Sequence, residues 1–175
     1  MNLSSFVFER GNFVSIYGGA GVGKTILSLQ LVLDIRPSIY ISTEGVMFEA
    51  RLEKINVGKG VHFASVNSNE ELYSSLLTAM KYKPKLLVID TINRFYRYER
   101  NLQKFLKILV TLKAISDLNI KILLTWQMSF NNKVAGEKLM RQLSDDVLRM
   151  SKNYIIGNLR KCKFKITDRG VIGCL

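Results

Sequence analysis

The sequence predicts an α/β domain: a mostly parallel, twisted sheet with helices on both faces and an antiparallel strand extension at its C-terminal end. Three observations lead there. Short β-branched apolar runs alternate with longer segments of helical periodicity, the pattern of βαβ units. A glycine-rich stretch, GGAGVGKT, stands between the first such run and the first helical pattern. From Asp145 the pattern changes to short alternating runs, VLRM, NYIIGNLR, KCKFKITD and GVIGC, separated by turn residues. Alternation of that kind belongs to antiparallel strands with one solvated face.

Taken in order, strands are expected at Phe13–Tyr17, Ser38–Ser42, Val61–Val66, Lys85–Asp90 and Ile120–Trp126. Helices are expected at Lys24–Leu33, Val46–Ile55, Glu70–Lys81, Glu99–Leu118 and Gly136–Gln142. In the fourth helix Leu102, Phe105, Leu106, Leu109, Leu112 and Ile115 recur at three- and four-residue spacing, an apolar stripe for packing on the sheet. Lys104, Lys107 and Lys113 fall on or near its flanks and read as a solvated basic face. Ser129–Glu137, SFNNKVAGE, is the longest candidate for a mobile polar loop.

The chain of 175 residues reads as one domain, 1–175, with no repeat or linker. At 47% hydrophobic and 23% charged it belongs with globular rather than disordered chains. Its formal charge is +12, and the excess is one-sided. Residues 1–80 hold six basic and seven acidic side chains, whereas residues 81–175 hold twenty and seven. Such asymmetry points to a polyanionic partner, nucleic acid before an anionic membrane surface, with a basic solvated face that has no partner as the alternative.

No apolar run approaches the ~20 residues needed to span a bilayer, and MNLSSFVFER lacks the basic start of a secretory signal. Cys162, Cys174 and the single His62 have no CxxC or zinc-like spacing. They read as strand-packing residues with no disulfide, and the expected location is a reducing, cytoplasmic compartment.

The chemistry is most legible in Gly18-Gly19-Ala20-Gly21-Val22-Gly23-Lys24-Thr25, which satisfies G-x-x-x-x-G-K-[ST] between a strand and the helical run beginning at Ile26. Glycines let several backbone N–H groups face one anion, and the following helix adds the positive end of its dipole. Lys24 is expected to reach the β- and γ-phosphates and the Thr25 hydroxyl to bind Mg²⁺. Asp90, ending the apolar run KLLVID, is the expected second magnesium anchor. Glu44 follows the second strand in YISTEG, where strand ends converge on a ligand crevice, and is the candidate for polarising an attacking water. Gln127 follows the fifth strand in LLTWQM and is the candidate γ-phosphate sensor.

GGAGVGKT, YISTEG, LLVIDT and TWQM, in this order and with FYRYE and the terminal FKITDRGV, resemble the ATPase core of RecA-family recombinases, particularly archaeal RadA paralogs of the RadB-like kind. The resemblance implies a RecA-like P-loop ATPase using ATP and Mg²⁺, with catalytic Lys24, Glu44 and Gln127 and with Arg51 stacking near adenine. It also implies DNA-binding loops after Asp90, around Arg94–Arg100, and after Gln127, around Ser129–Arg141, including Arg94, Arg97, Arg100, Phe130, Lys133, Lys138 and Arg141, with single-stranded DNA and a full-length recombinase as partners. The Phe-x-x-Ala motif of full recombinases does not occur, and the segment after Asp90 is short. The expected role is therefore a minimal accessory ATPase in recombination and repair. A KaiC-like signalling ATPase and a small-molecule P-loop kinase are the alternatives.

Overall fold

Five apolar runs become the parallel strands expected of them, and a sixth joins from the tail. The computed structural model describes residues 2–53, 55, 57–168 and 170–174. Lys54 of the expected Val46–Ile55 helix and Arg169 of the terminal ITDRG lie outside the described residues. The elements are α1 (Leu3–Val7), β1 (Phe13–Gly18), α2 (Lys24–Asp34), β2 (Ser38–Ser42), α3 (Glu49–Leu52), β3 (Val61–Ser65) and α4 (Asn69–Ala79). They continue as β4 (Leu86–Asp90), α5 (Arg94–Glu99), α6 (Leu102–Asp117), β5 (Lys121–Gln127), α7 (Glu137–Leu143), β6 (Asp146–Met150), β7 (Tyr154–Gly157), β8 (Arg160–Thr167) and β9 (Gly170–Gly173).

One nine-stranded sheet runs in the order β3-β2-β4-β5-β1-β6-β7-β8-β9. Pairing is parallel from β3 to β6 and antiparallel from β6 to β9. Every residue of β2 and β4 is buried, as a parallel strand covered on both faces requires. One apolar cluster, including Leu72, Leu76, Phe105, Leu109, Leu112 and Trp126, joins α4, α6 and α7 to one sheet face. A second, including Phe6, Leu27, Leu31, Val14, Tyr40 and Phe164, seals α1, α2 and the C-terminal strands to the other.

Several expectations change. The helix expected over Val46–Ile55 contracts to the single turn of α3. The helix expected over Glu99–Leu118 begins earlier and breaks in two, because Arg100 takes a left-handed conformation (φ 53°) and Asn101 caps α6 by accepting from Lys104 N. Leu102 and Leu106 of its stripe are exposed, while Phe105, Ile108, Leu109, Leu112 and Ile115 form the buried face. The flanking lysines are partnered: Lys104 with Glu70, Lys113 with Asp145, and Lys107 over the Tyr73 ring. His62 is an exposed residue of β3 whose ring lies 4.3 Å from that of Tyr82.

The cysteine reading is overturned. Cys162 and Cys174 form a disulfide, with Cα atoms 4.8 Å apart. The cause is hairpin register: β8 and β9 pair Phe164 with Gly173, and Cys174 N donates to Lys163 O. A twelve-residue separation without a CxxC pattern does not reveal that juxtaposition. The cysteine count therefore gives no ground for a reducing compartment. Among the described residues no helix is long and apolar enough to cross a membrane.

Candidate nucleotide site

β1 delivers the glycine-rich turn at the C-terminal edge of the sheet, where β2, β4 and β5 also end. Two glycines are required by geometry. A Cβ on Gly18 would stand 2.4 Å from Met150 O, and Gly23 has φ 104° with Ile166 Cδ1 2.6 Å from where its Cβ would be. Gly23 also begins α2 without a side-chain cap, which leaves the helix N-terminus open to an anion. The Lys24 ammonium is buried and donates to Gly18 O at 2.8 Å and Gly19 O at 2.7 Å. Burial lowers its pKa, against the opposing charges of Asp90 and Glu44.

Asp90 is 4% exposed and is held by three hydroxyl donors. Thr25 Oγ1 and Tyr40 Oη donate to Oδ2, each at 2.7 Å, and Thr125 Oγ1 donates to Oδ1. Strand pleat brings these groups together: in the β2–β4 register Tyr40 faces Val88, two residues before Asp90, and residues two apart share a face. Hydrogen bonds to an ionised group are worth roughly 1.5–3 kcal/mol each, so the cluster keeps a buried carboxylate in place. Burial, then the adjacent Asp90 charge, raises the Tyr40 pKa and keeps its hydroxyl a donor at neutral pH.

Glu44 is exposed at the end of the β2 turn. Ser42 Oγ shapes that turn, donating to Gly45 O and accepting from Glu44 N. Thr91 Oγ1 donates to Glu44 Oε1 at 3.3 Å, and Thr43 Oγ1 ties the β2 end to Thr91 by donating to its carbonyl and accepting from its amide. Gln127 accepts from Arg97 Nη1 at Oε1, 2.6 Å away.

These groups converge. A cavity of about 270 Å³ is lined by Ala20, Gly21, Gly23, Lys24, Thr25, Ile26, Glu44, Arg51, Asp90, Thr91, Gln127 and Ile166. It contains all four elements read from sequence, the phosphate loop, Glu44, Asp90 and Gln127, together with Arg51. Gly18 and Gly19 take part through their carbonyls, and Val22 packs toward the core.

The residues read as nucleic-acid contacts divide. Arg94, Arg97 and Arg100 lie on or at the end of α5, a helix rather than the expected loop. Arg97 is committed to Gln127, and Arg94 lies over the Tyr98 ring. Phe130 is fully exposed, and Lys133 and Lys138 are exposed. Arg141 pairs with Glu137 and lies over the Tyr17 ring. The Ser129–Glu137 segment is pinched by a Met128–Val134 bridge and by Ser129 N donating to Lys133 O. Sequence reasoning missed Tyr40, Thr125, Thr91, Asn93 and Ile166. Only Thr125, a hydroxyl inside an apolar strand, carried a visible signal.

No protein-family model and no curated protein matches the chain. Its structure is similar to that of a KaiC-like protein from the hyperthermophilic archaeon Pyrococcus horikoshii OT3, at 17% identity and TM-score 0.70, covering 97% of this chain and 94% of that one. It is similar to the RadB recombinase at 20% identity and TM-score 0.73, covering 96% and 94%. It is also similar to the flagellar accessory protein FlaH from Methanocaldococcus jannaschii at 14% identity and TM-score 0.67, covering 95% and 91%. What the chain shares with them is the RecA-like α/β fold, with its mostly parallel sheet and antiparallel C-terminal part.

Proposed function

We propose that the protein is a Mg²⁺-dependent ATPase of the RecA-like kind that couples nucleotide state to single-stranded DNA and assists a recombinase in recombination and repair. The observation that carries the nucleotide reading is the convergence of Lys24, Thr25, Glu44, Asp90 and Gln127 on one cavity. Phosphates sit on the loop amides and the α2 N-terminus, with Lys24 leaving the Gly18 and Gly19 carbonyls to meet them. Glu44 orients and polarises the attacking water, Gln127 contacts the γ-phosphate, and Arg51 lies against the base.

The donor set suits magnesium. Among the described residues no group of three or more His, Cys, Asp or Glu could hold a metal alone. Mg²⁺ in nucleotide sites uses one or two carboxylates together with phosphate oxygens and water, and Thr25 and Asp90 would hold it. Bound there, it would neutralise charge on the phosphates.

The DNA part rests on the charge asymmetry of the chain and on exposed Phe130, Lys133 and Lys138. Likeness to the RadB recombinase supports it. The equally complete likeness to a KaiC-like protein favours a second reading, an ATPase acting on protein partners. Salt-dependent binding of a single-stranded oligonucleotide, with and without ATP and Mg²⁺, for wild type and Lys24→Ala separates them. Phosphate contacts require affinity that falls steeply with salt. Nucleotide-dependent assembly with no affinity for the oligonucleotide at low salt would sink the DNA reading.

A further inference from the structure

The bond between Arg97 and Gln127 gives an exposed-looking arginine an internal task. Arg97 Nη1 donates to Gln127 Oε1 at 2.6 Å, and among the described residues no carboxylate forms an ion pair with Arg97. A carboxamide has one acceptor end and one donor end, and the neighbouring hydrogen bonds decide which faces where. With Oε1 taken by a guanidinium, the free polar end of Gln127 is the NH2 donor, on a side chain that lines the nucleotide cavity. A donor suits an anionic phosphoryl group, whereas the amide turned over would present an acceptor to it.

The backbone beneath is clamped by a second residue. Asn93 has no exposed surface. Its Oδ1 accepts from Gln127 N at 3.0 Å, and its Nδ2 donates to Gln127 O at 3.0 Å and to Ala135 O at 3.3 Å. One buried amide thus ties Gln127 to the far end of the 128–135 loop. Asn93 and Arg97 are one helical turn apart, joined by Arg97 N donating to Asn93 O.

We propose that Arg97 is a positioning residue for the nucleotide site: its bond to Oε1 orients the Gln127 carboxamide with the donor end toward the γ-phosphate, so that turnover and the nucleotide response of the 128–135 loop both depend on Arg97. The inference rests on the nucleotide reading above and goes beyond it, because it moves Arg97 from DNA contact to catalysis-linked positioning.

The test uses the full chain without nucleic acid. Trypsin cleavage after Lys133 reads loop opening, since proteolysis follows the population of the open form; in wild type a non-hydrolysable ATP analogue with Mg²⁺ slows it about five-fold relative to ADP. Arg97→Ala brings the two rates within about two-fold and lowers kcat about ten-fold with little change in KM, as expected for a group that orients rather than binds. Arg97→Lys, which keeps a cationic donor, restores most of the contrast and shows that a lost fold is not the cause. An Arg97→Ala protein that keeps the wild-type contrast overturns the proposal. So does a wild type that binds a fluorescent ATP analogue but shows no contrast, and in that case the nucleotide reading survives. Absence of analogue binding removes both.

Discussion

The inner parallel strands and the antiparallel extension share one sheet but bury it differently. All of β2 and β4 is inside, whereas in β8 the buried Cys162 and Phe164 alternate with exposed Lys161, Lys163 and Lys165. A sheet covered on both faces has little place for polar chemistry except where its strands stop. Asp90, Glu44 and Gln127 stand at or just past such ends, beside the glycine-rich turn. The extension, packed on one face only, instead closes a side of the cavity: Ile166 of β8 stands over Gly23. In the proposed function the parallel part holds the reacting groups and the extension supplies a wall.

If that division is right, substitutions at the parallel strand ends remove turnover, while substitutions in the extension change affinity or stability. Glu44→Gln is expected to lower ATP hydrolysis by about 10²–10⁴-fold, the range for a lost general base, with nucleotide binding retained. Lys24→Ala is expected to cost about 10²–10³-fold, as for one lost electrostatic donor to the transition state, and to weaken binding as well. Phosphate release and fluorescent-nucleotide titration separate the two. An extension variant with an equal loss of turnover at saturating ATP would break the comparison.

The disulfide tests the other half. β9 ends the sheet and has β8 as its neighbour, so the Cys162–Cys174 bond restrains an edge. Reduction, or Cys174→Ser, is expected to lower stability by about 3 kcal/mol, the loop-closure value for a loop of this size, measured as urea midpoints with and without a thiol reductant. Nucleotide affinity is expected to fall while turnover at saturation holds, because β8 keeps Ile166 in the wall. Unchanged affinity on reduction would show that the wall does not depend on the clamp.

What could be read in advance follows the same boundary. The parallel strands and the glycine-rich turn between β1 and α2 were legible because long apolar runs and a spaced Gly-Lys-Thr motif are local signals. Asp90 was legible because a carboxylate ending an apolar strand needs a partner. Its partners were not: Tyr40 reads as one more apolar strand residue, and the Oδ2 contact depends on a β2–β4 register that local patterning does not fix. The disulfide was hidden for the same reason, since pairing across a hairpin is a matter of register. The Arg97–Gln127 bond was not legible, because no local signal in the sequence pairs an arginine with a glutamine thirty residues away.

Just before β6, the last of the parallel strands, one carboxylate ties that strand to β1 and α6. Asp145 Oδ2 accepts from Asn12 N and Phe13 N at 3.0 and 2.9 Å, and Oδ1 accepts from Lys113 Nζ at 2.6 Å. Burial pushes this carboxyl up, but Lys113 and the two amides outweigh it and hold its pKa below the ordinary 3.8. A lowered folded-state pKa means the stabilisation is complete above the ordinary value and is lost as pH falls through the folded one. Asp145→Ala is expected to cost about 2 kcal/mol at neutral pH, the scale for backbone donors left unmatched. The loss relative to wild type should shrink below about pH 4. A pH-independent difference would mean that packing, not charge, joins β1 to β6.

The smallest effect is expected at the wall itself. Ile166 is 37% exposed, so its side chain gives only part of its surface to a bound nucleotide. Trimming it to alanine removes about three carbons at roughly 0.8 kcal/mol per fully buried carbon, and partial exposure cuts that total to about 1 kcal/mol. Ile166→Ala should therefore raise the Kd for ATP about five-fold, since 1.4 kcal/mol is tenfold. Because the contact is made equally with bound ATP and with the transition state, KM should rise and kcat should not fall. A fall in kcat instead would put the extension among the groups that act on the reacting phosphate, and the division between chemistry and wall would fail at the residue chosen to define it.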